Sequence, residues 1–296
     1  MRLWAAFGDA IVRASERDVE RFDVPARCIA SRGAAAFAGG RGVWRFDGAW
    51  TRTSLDGDVF SIAVAVDGAV YVGTEPSALY RSRDGGETWE ELEALQQIPS
   101  KPTWSFPPRP WTSHVRWIAP SPHDPQLLLV GIELGGLMRS QDGGASFADH
   151  APGAQPDVHS LAWHPSERGR AYQAGGGGAA WSRDGGMTWE PADDGRDRHY
   201  TWSVAVDPED AEHWWVSAST GPYAAHGRGD PQARIYEWRD GEWHDVRGAV
   251  PAMPYALVHI DGRLIAGLSD GSLLDVESGD TRSIGAGRLA ALAPAA

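Results

Sequence analysis

Seven short segments of the chain can be written over one another without gaps, and one column of that overlay collects residues with binding chemistry. The segments are Arg27-Cys28-Ile29-Ala30, Phe60-Ser61-Ile62-Ala63, Arg116-Trp117-Ile118-Ala119, His159-Ser160-Leu161-Ala162, Trp202-Ser203-Val204-Ala205, Tyr255-Ala256-Leu257-Val258 and Ala290-Ala291-Leu292-Ala293. Two places before the central aliphatic residue stand Arg27, Phe60, Arg116, His159, Trp202, Tyr255 and Ala290. Two places further back stand Asp58, His114, Asp157 and Tyr200, which strand alternation puts on the same face. Glu75 and Glu133 follow the apolar runs 70–74 and 127–132 and fall near the same level. Guanidinium groups grip carboxylate or phosphate in bidentate fashion, and Trp and Tyr rings stack on the apolar faces of sugars. If the column closes into a ring, it suits a small anionic or sugar-like ligand.

Other chemistries use the same residues. Glycoside cleavage needs two carboxyl groups facing one bond, and Asp58 with Asp157, or Glu75 with Glu133, would supply them. His114 and His159 lie in neighbouring segments and His226 in a later loop. Converging with Glu133 as an oxygen ligand, they would make a divalent metal site. No tight H-x-x-x-H spacing accompanies them, and no cofactor is expected. The structural alternative is that Arg27 and Arg116 pair with Asp58, Asp157 or Glu133 to neutralise a solvent-filled channel.

The elements that position these residues are announced by a second repeat. Residues 82–89 (SRDGGETW), 140–147 (SQDGGASF) and 182–189 (SRDGGMTW) fit the form S-x-D-x-G-x-[T/S]-[W/F], and residues 46–50 and 239–243 are shorter relatives. In such a turn Asp caps backbone N–H groups, Gly supplies positive φ, and the aromatic packs between sheets. The 36 glycines and 15 tryptophans of the chain favour many short strands and tight turns in the same way. The motif resembles the Asp-box of the sialidase-like, BNR-repeat propeller families, and the resemblance runs the length of the chain.

A blade of four strands takes about 40–45 residues. The sequence therefore predicts a single all-β domain over 1–296, a seven-bladed β-propeller, with six blades as the alternative. Blades fall near 27–53, 58–93, 112–150, 157–192, 199–246 and 253–284. A shared blade closes the ring by pairing the C-terminal strand with N-terminal strands near 3–7, 10–15 and 19–23.

The resemblance implies that Asp84, Asp142 and Asp184 are scaffold and that a ligand sits at the channel mouth on the opposite face. Two long insertions, 96–111 and 219–231, belong to that face. Sialidase chemistry would need three arginines, a tyrosine nucleophile with a glutamate partner, and an acid/base aspartate. The column supplies Arg27 and Arg116, with Arg228 or Arg109 as loop-borne thirds, and Tyr255 or Tyr200 as nucleophile. The N-terminal Arg-Ile-Pro type motif of sialidases is absent. Related propellers also cleave polysaccharides or serve as platforms for protein partners, so a protein partner at the same mouth is the other expectation.

A net charge of −13 and a pI near 5.2 argue against nucleic acid or an anionic membrane as partner. The single cysteine, Cys28, cannot form an internal disulfide and is expected as a small buried apolar residue. The N-terminus carries no apolar run of signal-peptide length, so a cytoplasmic monomer is expected.

Overall fold

The computed structural model describes residues 1–106 and 112–296, and these form seven antiparallel sheets, one per expected blade. The innermost strands are Ala26–Arg32, Asp58–Val64, Val115–Pro120, Val158–Trp163, Tyr200–Val206, Pro254–Ile260 and Ala291–Pro294, each against the next in a closed ring. The last of these pairs with Arg2–Ala6, which continues into Ile11–Ser15 and Val19–Phe22. Leu3 lies opposite Pro294 and Ala6 opposite Ala291, so the two ends of the chain share one blade and leave no open edge at the seam. Seven apolar clusters fill the wedges, each formed by the facing sides of two neighbouring blades. Among the described residues no helix is long and apolar enough to cross a membrane.

The expected 112–150 blade has three strands rather than four. After Gly136–Ser140 the fourth position makes one isolated bridge, Arg139 to Ala148. Side chains take over where the strand stops. His150 Nδ1 accepts the Leu137 N–H at 3.1 Å, and Asp149 accepts the N–H and hydroxyl of Ser100 from the insertion at 3.1 and 2.5 Å.

Crowding at the axis sets the inner strands. The second strands carry Gly39, Gly73 and Gly131 where a valine of the next blade presses in: a Cβ there would stand 2.3–2.4 Å from Val59, Val115 or Val158 respectively. Beside these contacts the register of the inner strand shifts. The unpaired residue is Arg27, Phe60, Arg116, His159 or Tyr255 in five blades, and in the sixth Trp202 shares the bulge with Ser203. A bulge leaves one residue out of the ladder and re-aims its side chain. Serines that follow stitch the blades together: Ser61 donates to the Val115 carbonyl at 2.7 Å, while Ser160 and Ser203 accept the N–H groups of Val204 and Leu257 at 3.0 and 2.9 Å.

The Asp-boxes lock the other end of the ring. Asp84 accepts the N–H groups of Glu87 and Thr88 and the hydroxyls of Ser82 and Thr88, and Asp142 and Asp184 repeat the pattern. The third strand of each preceding blade sends an arginine into the box: Arg45 to the Gly85 carbonyl, Arg81 to Gly143 and Arg139 to Gly185, at 3.3, 2.6 and 2.6 Å. Cys28 is buried with its thiol toward the Gly39 carbonyl, and burial pushes that thiol up to about 12.

Axis crowding makes a measurable claim. Gly131→Ala places a methyl inside the contact distance of Val158 and should lower stability by about 1–3 kcal/mol. Gly229→Ala, with no atom within 4 Å, should stay within about 0.5 kcal/mol of the parent. Urea midpoints of the two variants check this, and equal midpoints would contradict the packing account.

Candidate functional site

Third strands end in Asp-boxes and inner strands begin at the opposite end, so every bulge residue lies at the end away from the boxes. There the ring opens into a cavity of about 1050 Å³. Its wall includes Arg27, Phe60, Arg116 and Trp202 from the bulge column, His114, Asp157 and Tyr200 from two places back, and Glu133 after the second strand Leu128–Ile132. Phe106 from the first insertion and Pro222, Tyr223 and His226 from the second complete the rim with Arg288 and Ala290. The second insertion folds into a short helix, Pro222–His226. His159 and Tyr255 share the bulge column yet lie beneath the wall, His159 with no exposure at all.

The charges are arranged in tiers. Arg27 donates to Asp58 at 3.1 Å and lies over the Phe60 ring at 4.4 Å. Arg116 stands 3.5 Å from Glu133 and over Trp202 at 4.7 Å. His114 meets Glu133 at 2.7 Å and stacks on Phe60. Burial opposes ionisation of Glu133, but the His114 hydrogen bond and the Arg116 charge outweigh it and hold the carboxyl at about 2. Glu133 is therefore a fixed anion at neutral pH.

Arg288 is a wall residue that the repeat alignment stops short of naming. Its guanidinium lies 3.7 Å over Tyr255 and 5.8 Å from the Trp202 ring centre. Among the described residues it has no carboxylate within 4 Å. Arg288 stands two places before Ala290, the position that Asp58, His114, Asp157 and Tyr200 hold in their own repeats. Following that column into the seventh repeat would have found it. Arg228, expected as a third arginine, is exposed and outside the cavity wall, and Arg109 lies outside the described residues.

His226 joins two tyrosines. The Tyr255 hydroxyl donates to the Ala225 carbonyl at 2.7 Å, so it accepts from His226 Nδ1 at 3.0 Å, and Nε2 accepts the Tyr200 hydroxyl at 2.9 Å. Burial first, then the nearby Arg288 charge, push the imidazole down to about 4. Burial likewise raises the hydroxyls of Tyr200 and Tyr255. Neither tyrosine hydroxyl bonds a glutamate, and neither is activated, which removes the geometry expected of a nucleophile. The metal set expected from His114, His159 and His226 with Glu133 does not form either: both ring nitrogens of His226 are held by tyrosines. Instead Glu133, Asp157 and His159 approach one another, with ligand atoms all within 4.8 Å. Asp58 is engaged by Arg27, and Glu75 stands 3.6 Å from His114.

A profile of the BNR/Asp-box repeat matches residues 80–91, the second of the blades in chain order. No curated protein matches the sequence significantly. Solved structures resemble the fold. One is a GH74 xyloglucanase from Xanthomonas campestris, with a TM-score of 0.61 and 17% identity over 86% of this chain and 43% of that one. Another is a GH74 enzyme from Niastella koreensis, at 0.67 and 13% over 98% and 51%. A third is YCF48 bound to D1 peptide, at 0.60 and 16% over 89% and 84%. This chain spans about half or less of the length of the two GH74 structures. Ring and neighbours agree on the fold: the chain is a seven-bladed β-propeller, and it carries a BNR/Asp-box repeat at residues 80–91.

Proposed function

We propose that the mouth opposite the Asp-boxes binds a small carboxylate-bearing saccharide. The carrying observation is Arg288, a cation facing the cavity without a carboxylate partner among the described residues, on a wall it shares with Arg116 and Trp202. Arg27 and Arg116 are already engaged by Asp58 and Glu133, while Arg288 retains donors for the ligand. Tyr223 is 95% exposed at the rim, and Phe60 and Phe106 line the wall, so flat apolar surfaces flank the cations. Sugars with an acidic group present both an anion and an apolar ring face. The GH74 neighbours support a carbohydrate over other anions at the level of fold.

A hydrolytic reading has one specific observation in its favour. Oxygen atoms of Glu133 and Asp157 come within 4.8 Å, near the carboxyl spacing of about 5–5.5 Å in retaining glycosidases. With Glu133 held ionised, Asp157 would have to be the proton donor. Turnover of chromogenic glycosides that disappears in Asp157→Asn is the result this reading needs; a wild-type protein without turnover removes it.

For binding, calorimetry with glucuronate, N-acetylneuraminate and neutral glucose is the direct measurement. Arg288→Ala should weaken the acidic sugar by about 10- to 100-fold, the worth of a hydrogen bond to a charged group, and leave glucose unchanged. An acidic-sugar affinity untouched by this substitution would overturn the assignment.

The neutral His226 predicts a pH signature. Its folded value of about 4 lies below the ordinary 6.5, so between these values the unfolded chain binds more protons. The contribution of this group to stability is complete above 6.5 and is lost as pH falls towards 4. Ring-nitrogen NMR should find His226 still in the Nδ1–H form at pH 5.5, and a midpoint near 6.5 would contradict the tyrosine relay.

A further inference from the structure

Below the arginines three acceptors converge, and two of them, on His159 and Asp157, have no hydrogen-bond donor among the described residues. His159 is fully buried, and its Nδ1 meets the Thr201 carbonyl at 2.6 Å. A carbonyl only accepts, so Nδ1 carries the hydrogen and Nε2 of the neutral ring presents a lone pair. Among the described residues that nitrogen has no hydrogen bond, and it faces Asp157 Oδ2 at 3.5 Å. Asp157 Oδ1 is likewise buried without a partner among them. Glu133 brings a third acceptor, and all three ligand atoms lie within 4.8 Å of one another.

Converging acceptors are costly in a buried site unless a positive centre joins them. A proton on Nε2 is poorly placed to do so, because charge-assisted N–H···O bonds run at about 2.7–2.9 Å. His213 shows the protein's other solution, with ring nitrogens 2.9 and 2.5 Å from Asp207 and Glu237. The wider His159–Asp157 spacing has a different match. Two ligand atoms each about 2.1 Å from one ion, at the tetrahedral angle, stand about 3.4 Å apart.

We propose that Glu133, Asp157 and His159 bind one divalent transition-metal ion of the zinc class at the floor of the mouth. One nitrogen and two carboxylates leave coordination positions open toward the cavity. The outer contacts suit that role: the Thr201 carbonyl orients His159, and His114 orients Glu133. Glu133 follows the second strand of one blade, while Asp157 and His159 open the next, so the ion ties two blades at the axis. Arg116, 3.5 Å from Glu133, places a like charge beside the ion and tempers its affinity.

The test uses the full chain, stripped with EDTA, dialysed and titrated with ZnCl2 in a calorimeter. One saturable equivalent is expected, with a rise in Tm on loading. His159→Gln and Asp157→Asn should each abolish that step, while Arg288→Ala should retain it even where it loses acidic-sugar binding. Absence of one-equivalent uptake by the wild type overturns the proposal, and so does uptake unchanged in both ligand variants. Should the variants fold poorly, CoCl2 added to the stripped wild type decides. Intense visible bands of low-coordinate Co2+ with one imidazole ligand support the site, and a spectrum equal to aqueous Co2+ overturns it.

Discussion

Much at the mouth of this ring depends on how closely the inner strands approach one another. Val59, Val115 and Val158 sit where a Cβ on Gly39, Gly73 or Gly131 would stand, so adjacent blades touch backbone to side chain at the axis. The ladder cannot run straight past that contact, and the residue after each valine leaves the pairing in a bulge. Placing the crowding at the start of the inner strand puts the bulge at the mouth. A repeated packing constraint thereby becomes a ring of residues whose backbone leaves the sheet ladder at the mouth.

What the released side chains do depends on their neighbours rather than on the bulge. Arg27, Phe60, Arg116 and Trp202 reach the cavity. His159 has the same backbone setting but turns beneath Tyr200 and Trp202, with ring centres 4.9 and 4.4 Å away, and Tyr255 is capped by Arg288. Cations and aromatics then alternate in contact, Arg27 on Phe60, Arg116 on Trp202 and Arg288 on Tyr255. Stacking holds each guanidinium plane; Arg27 and Arg116 turn edge donors to Asp58 and Glu133, while Arg288 has no carboxylate within 4 Å among the described residues.

Much of this was legible in the residues because a propeller repeats. The Asp-box gave the turn, the spacing gave the blades, and the overlay of inner strands picked out the bulge column before its geometry was visible. The parts that escaped are those where repetition ends. Arg288 sits in the seventh repeat, which shares its blade with the N-terminus. His226 was legible as a candidate ligand, but its bond to Tyr255, 29 residues away, is made from an inserted helix outside the repeat. The lost strand near Ala148 follows from Asp149 and His150 bonding backbone elsewhere, which strand periodicity does not register. The approach of Glu133 to Asp157 and His159 is a distance between blades, and local spacing carries no such information.

The two ends of the ring spend their polar groups differently, and that contrast separates scaffold from site. At the Asp-box end each aspartate meets N–H and hydroxyl donors, and arginines of neighbouring blades close on glycine carbonyls. Such a network gains nothing from a ligand, because its hydrogen-bonding capacity is used up. At the mouth, among the described residues, Arg288 lacks an acid partner and buried atoms of His159 and Asp157 lack hydrogen bonds. Native proteins leave few buried polar atoms unsatisfied, since each costs about 1–3 kcal/mol. The His159 and Asp157 atoms stand beside a cavity at the end where the repeat is also broken by insertions, and on them rests the proposal that a second molecule or ion completes the mouth.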